Sequence, residues 1–140
     1  MKLLKQSYER DGGGSIVCEC EVPDDVWMLY NLVLPGDKVK CPTTRKLQKE
    51  SSSGTVSTDV KKIVLDILVK KTEYEGERDI LRVSGQVAEE SPYVKIGAYH
   101  TLEISLNTRL TLYKECWDRV FLDKLKEASD PHRTAEVQVV

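Results

Sequence analysis

Arg45, Lys46, Gln48 and Lys49, followed by Ser51, Ser52, Ser53 and Gly54 and then by Lys61 and Lys62, form the stretch whose residue types most directly suit a defined chemistry. Guanidinium and ammonium groups neutralise phosphates without reading base sequence, and Gln, Ser and backbone amides add hydrogen bonds to phosphate and sugar. A polar tip between basic flanks suits RNA of irregular shape better than a duplex groove. The same residues are also compatible with an acidic protein partner, or with a hairpin loop that is simply solvated.

Other chemistries find less support. His100 and His132 lie in different predicted elements with no carboxylate or cysteine at ligand spacing, and no Gly-x-Ser-x-Gly elbow is present to raise a serine nucleophile. The adjacent acids Asp24-Asp25 and Glu89-Glu90 could hold a divalent cation, but such pairs usually serve as helix caps and solubilising charge. Cys18, Cys20, Cys41 and Cys116 include no Cys-x-x-Cys pair, and Cys18 and Cys20 share one face of a predicted strand, where they pack as small hydrophobes. The glycines of "RDGGGS" lead into a strand and lack a following Lys-Ser/Thr, so they read as a turn and not as a phosphate cradle. No cofactor is expected, and no catalytic residue is assigned.

The bulk charge alone points nowhere. The 140 residues carry a net charge of −2 with 40% hydrophobic composition, enough for one core and one domain. Between Lys38 and Lys62, however, seven basic residues face only Glu50 and Asp59, a local balance of +5 that leaves −7 on the rest. No apolar run suits a signal peptide or a membrane span, so an intracellular chain is expected.

The elements that would position the basic stretch follow from periodicity. Leu3 to Tyr8 and Ser15 to Val22 read as strands around the glycine turn. "PDDVWMLYNLV" reads as a short helix stopped by Pro35-Gly36, with Trp27 and Tyr30 as expected core residues. Val39, Cys41, Thr43 and Leu47 then alternate against Lys38, Lys40 and Lys46, which predicts a half-buried strand with a basic outer face. A long strand from Val60 to about Tyr74 turns Ile63, Leu65, Ile67 and Val69 inward, and the basic stretch joins it to its predecessor. Leu81, Val83 and Val87 mark the next strand, with Gly85 as a bulge or bend. Leu102, Ile104 and Leu106 mark another, ahead of a tight "LNT" connection. A closing helix is predicted to carry Trp117, Val120, Phe121, Leu125 and Ala128 on one stripe. Successive antiparallel strands of this kind predict a mostly β fold, a small barrel or strongly curved sheet with one short inserted helix and one C-terminal helix.

Four segments, "PDDVWMLYNLVLPGDKV", "TTRKLQKESSSGTVST", "VKIGAYHTLEI" and "WDRVFLDKLKEASDP", resemble in order the N-terminal domain of Pelota, the ribosome-rescue relative of the eukaryotic class-1 release factor. The resemblance covers nearly the whole chain. It implies an Sm-like β-barrel over residues 1–130, with 131–140 leading into a further domain. It also implies entry into the A site of stalled ribosomes, where the strand-connecting loop contacts decoding-centre rRNA and the mRNA channel. In the family, other domains bind a translational GTPase and the recycling ATPase. Arg45, Lys46, Gln48, Lys49, Ser51, Ser52, Ser53 and Gly54 match the family pattern position by position, and Lys61 and Lys62 join them on charge. The stop-codon motifs of release factors and a Gly-Gly-Gln are absent, so recognition without codon reading in no-go and non-stop mRNA surveillance is expected. A monomeric domain with no membrane contact follows from the same resemblance, cytoplasmic with the nucleus as a second location. Two alternatives stay open: a divalent-metal-dependent endoribonuclease, for which Glu50 and Asp59 lack a third fixed partner, and an Sm-like protein-interaction module.

Overall fold

The computed structural model describes residues 1–50 and 56–129, with side chains described outside 45–50 and 56–61. Seven antiparallel strands run β1 (Lys2–Tyr8), β2 (Gly14–Glu19), β3 (Lys38–Glu50), β4 (Val56–Glu75), β5 (Ile80–Val87), β6 (Tyr99–Ile104) and β7 (Arg109–Lys114). Helix α1 (Pro23–Leu32) is inserted between β2 and β3, and α2 (Arg119–Ser129) follows β7. The strand order is β1-β2-β7-β3-β4-β5-β6. Of the predicted inward set on β3, β4 and β5, Val39, Cys41, Ile63, Leu65, Ile67, Val69, Leu81, Val83 and Val87 are buried and Thr43 is half-buried, while the side chain of Leu47 lies outside the described residues.

The expected barrel does not close. Among the described residues β6 pairs only with β5, because β7, its neighbour in sequence, already holds β2 on one edge and β3 on the other. The sheet nevertheless curls strongly. Strands at about 4.8 Å spacing would leave β3 and β6 about 14 Å apart if flat, yet Thr43 Oγ1 and His100 Nε2 are hydrogen-bonded at 2.9 Å. Part of the bending sits where β4 carries one extra residue, Lys70, opposite Gly85 and Ser84. The bulge is thus on the partner strand and not at Gly85 itself. Gly85 is required there, since a Cβ would lie 1.9 Å from the Leu68 carbonyl oxygen. Beyond the bulge the inward parity of β4 changes from odd to even, which brings Tyr74 onto the core side.

Helix α1 begins with Pro23 in its first turn and with the buried Asp25 carboxylate accepting from the backbone N–H groups of Glu21 (2.8 Å) and Val22 (3.1 Å). The same carboxylate lies 2.8 Å from the Met1 ammonium, which also donates to the Ala128 carbonyl of α2. Val26, Leu29 and Leu32 face the core. Trp27 does not: it is 48% exposed, stacked on Tyr30 at 5.5 Å and edge-on to Tyr74 at 5.2 Å. The helix stops at a turn in which Asp37 N–H donates to Leu34 O across Pro35-Gly36, with Gly36 at φ +97°. The closing helix also differs from expectation. Trp117 precedes it, buried and donating to Gly14 O, while Val120 is 60% exposed and Leu125 and Ala128 are the buried residues of the helix. Leu106, expected on an inward strand face, lies in the turn after β6 at 37% exposure.

One buried ion pair ties these parts together. The Asp37 carboxylate accepts from Lys114 Nζ and from Leu34 N–H, and the ammonium sits 4.0 Å from the centre of the Phe121 ring. Burial pulls the Lys114 pKa down, and the Asp37 hydrogen bond opposes that shift. Burial likewise pushes the thiols of Cys18, Cys20 and Cys41 up to about 12, in keeping with inert packing groups.

On the outer face at the root of β3, Lys38 and Lys40 sit beside Asp66, Glu89, Thr111 and Tyr113 around a cavity of about 270 Å³. Lys40 Nζ is 3.5 Å from Glu89 Oε2, and Lys38 Nζ lies over the Tyr113 ring at 5.7 Å. Burial first, and the charge of Glu89 second, raise the Asp66 pKa, and its buried Oδ1 has no hydrogen-bond partner among the described residues.

Two outcomes follow. Lys114→Met leaves Asp37 buried without its counter-charge and should cost about 3 to 5 kcal/mol in urea denaturation. Lys114→Met/Asp37→Asn should recover much of that, and a fully stable single variant would mean the pair carries no weight. For Asp66 the folded state holds the proton more tightly than the unfolded chain, so its contribution worsens as pH rises through the raised pKa. Asp66→Asn should therefore stabilise at pH 7 by less than about 1 kcal/mol, the site being half-exposed, and the gain should vanish below the unfolded value of about 3.9. Denaturation at the two pH values checks this; a loss at pH 7 would show that Lys38 and Lys40 need the anion.

Candidate nucleic-acid interface

The basic stretch is held by strand pairing. The β3–β4 ladder runs from Lys38↔Leu68 to Glu50↔Val56 without a register shift. β7 pairs with β3 only at Lys38, Val39 and Lys40, and β5 pairs with β4 only from Ile67 onward. From Arg45↔Lys61 outward the two strands form a hairpin arm, paired only with each other among the described residues. Six residues at about 3.3 Å per residue, Arg45 to Glu50, make this arm about 20 Å long. Strand β4 starts at Val56, four residues before the expected Val60, which is what lengthens it.

Arg45, Lys46, Gln48 and Lys49 lie on the β3 side of the arm and Lys61 and Lys62 on the β4 side. Arg45 faces Lys61 across the ladder, Lys46 faces Val60, Gln48 faces Thr58 and Lys49 faces Ser57. Lys62, opposite Thr44 at the root, is exposed. Ser51, Ser52, Ser53 and Gly54 lie outside the described residues, as do the side chain of Leu47 and residues 130–140. Because Lys38 and Lys40 face Asp66 and Glu89, the uncompensated charge of the stretch belongs to residues 45–62, where five basic residues face Glu50 and Asp59 for a balance of +3.

Sequence reasoning missed a groove at the arm's root. Pro42, Thr43, Thr44 and Lys62 form one wall, and Thr101 and Glu103 of β6 form the other, around about 550 Å³. The outward positions of β6 continue to Tyr99, which is 70% exposed. The available signal was alternation: Tyr99, Thr101 and Glu103 share the parity opposite the buried Leu102 and Ile104. Among the described residues no group of three His, Cys, Asp or Glu side chains could hold a metal ion, and no helix is long and apolar enough to cross a membrane.

The Pelota N-terminal domain family model matches residues 1–129. The human protein named Protein pelota homolog is 39% identical over all 140 residues, and so is its zebrafish counterpart; the chain spans 36% of the length of each. Among solved structures, ribosome-bound archaeal Pelota, described together with ABCE1, superimposes with a TM-score of 0.70 at 30% identity, covering 89% of this chain and 36% of that one. Archaeoglobus fulgidus Pelota gives 0.67 at 28% identity over 91% of this chain and 32% of its own. Yeast Dom34, described as a translation termination-like factor interacting with Hbs1, gives 0.73 at 16% identity over 97% of this chain and 35% of its own, a likeness of fold alone. The chain belongs to the Pelota family and corresponds to its N-terminal domain.

Proposed function

We propose that this domain enters the A site of stalled ribosomes and grips decoding-centre rRNA and the mRNA path with its basic hairpin, without reading a codon. The observation that carries the reading is the long two-stranded arm with a balance of +3 on an otherwise acidic chain. Ordered strand pairing holds Arg45, Lys46, Gln48, Lys49, Lys61 and Lys62 in fixed relative register, which suits them to a phosphate backbone, and Ser51, Ser52, Ser53 and Gly54 are assigned to the same contact on the family pattern. The similarity to a ribosome-bound Pelota supports the choice of RNA over an acidic protein.

The role so assigned is ribosome rescue and dissociation in no-go and non-stop mRNA surveillance, in the cytoplasm. Residues 1–130 act as one unit, and 131–140 lead into domains through which the whole protein engages a translational GTPase and a recycling ATPase of the ABCE1 kind. The unit is assigned a monomeric role, as the family resemblance implies.

Co-sedimentation with empty ribosomes across a salt series tests the reading. Arg45→Glu/Lys46→Glu/Lys49→Glu should abolish most binding, and the slope of log affinity against log salt should shrink by about 2 to 3, one step of roughly 0.7 to 0.9 for each phosphate no longer neutralised. Thermal stability should stay within a few degrees, because the arm pairs with no third strand among the described residues and lies outside the core. Unchanged affinity in the reversal would sink the proposal.

A further inference from the structure

We infer that the groove at the root of the arm is a second RNA contact, seating the backbone of an unpaired strand against Thr44, Thr101 and Lys62 while Tyr99 stacks on one of its bases. This rests on the reading that the arm grips RNA, and it extends the interface from the arm onto β6.

The groove exists because β7 leaves β3 after Lys40. From Cys41 onward that edge of β3 has no strand partner among the described residues, and β6, paired only with β5, curls back to it. The 2.9 Å bond between Thr43 Oγ1 and His100 Nε2 fixes the two walls. The lining then offers three threonine hydroxyls and one ammonium, the groups that hydrogen-bond sugar and phosphate. Its one carboxylate, Glu103, is held by Arg82, whose Nε lies 3.4 Å from Glu103 Oε1. Ser84 Oγ and Thr101 Oγ1, hydrogen-bonded at 2.9 Å, continue the hydroxyl surface onto β5.

Tyr99 stands two residues from Thr101 on the same face, about 7 Å along the strand. At 70% exposure it presents a large ring to solvent, and Ile96 at 61% and Tyr93 at 41% precede it in the sequence. Unpaired bases stack on aromatic rings whatever their identity, which suits recognition that ignores the codon. A peptide strand added to β3 fits less well, because Pro42 has no N–H to give to a ladder.

Fluorescence anisotropy with labelled oligouridylate, an unstructured single strand, separates the two contacts. Tyr99→Ala should weaken binding at least about fivefold, the lower end expected for losing one stacked base, with the salt slope unchanged because no charge is removed. Tyr99→Phe should bind like the unmodified chain. Glu103→Gln should tighten binding, since it removes the anion facing the phosphates. If Tyr99→Ala binds normally while the arm reversal weakens binding, the groove inference falls, the arm reading stands, and the patch is left to a protein partner. If Tyr99→Ala weakens binding and the arm reversal does not, the groove stands and the arm reading falls. Equal loss in Tyr99→Phe and Tyr99→Ala would also overturn stacking, since it would make the hydroxyl, and not the ring, the group that binds.

Discussion

The buried Asp37–Lys114 pair joins the exit of α1, the start of β3, the end of β7 and the approach to α2. Asp37 follows the turn that ends α1, and its carboxylate caps that exit by accepting Leu34 N–H. Its carbonyl accepts from Val69 N–H, which fixes β4 against the start of β3. Lys114 is the last residue of β7, and its ammonium reaches both the carboxylate and the rings of Phe121 and Trp117 beside α2. Removing two charges from water is costly, and apolar residues of equal volume often do as well for stability. What an apolar pair would lack is direction. A charge-assisted hydrogen bond at this point specifies one exit from α1 and one register for β3, and the whole arm inherits that register.

The arm in turn depends on where third strands stop. β3 and β4 are ordinary sheet strands from Lys38 to about Cys41, with β7 outside β3 and a buried face beneath. Both flanking strands then end their pairing, so the same ladder continues as a hairpin. The bulge at Lys70 acts at the opposite end of β4. It reverses the inward parity, places Tyr74 under Trp27 and Tyr30, and lets β5 and β6 curl until His100 meets Thr43. Arm and groove are therefore products of one curved sheet, rigid at the root where they meet.

Much of this was legible from alternation. Ile63, Leu65, Ile67 and Val69 announced a buried strand because one face is covered along their whole length, and period 2 survives wherever that holds. The misreadings fall where periodicity cannot report. An extra residue such as Lys70 is invisible in composition and flips every later side chain. Trp27 sits at helical spacing from Tyr30, but the buried side of α1 is set by Val26, Leu29 and Leu32, which point away from it. Val120 fits the periodic stripe of α2 yet is 60% exposed, while its neighbour Phe121 packs against the core and the Lys114 ammonium. The basic stretch itself was legible as charge, whereas the groove was not, because it joins Thr44 to Thr101 through tertiary curvature that no local pattern encodes.

The arm gives an otherwise acidic chain a locally positive projection. The residues outside 45–62 sum to −5. At physiological salt, charges are screened over about 8 Å. Lys38 and Lys40, at the root, lie within that distance of Asp66 and Glu89 and are neutralised by them. Lys49, five residues and about 16 Å beyond Thr44, lies about two screening lengths out, whereas Lys62, Arg45, Lys61 and Lys46 stand within one screening length of the root. The positive charge therefore runs from the root toward the end of the hairpin, and it stands furthest from the acidic body at Lys49. The body, meanwhile, repels a polyanion at close range, so favourable approach is restricted to one direction, arm first. Orientation of this kind needs no codon and no base-specific contact; it requires only that charge and distance be separated by a ladder stiff enough to keep them apart.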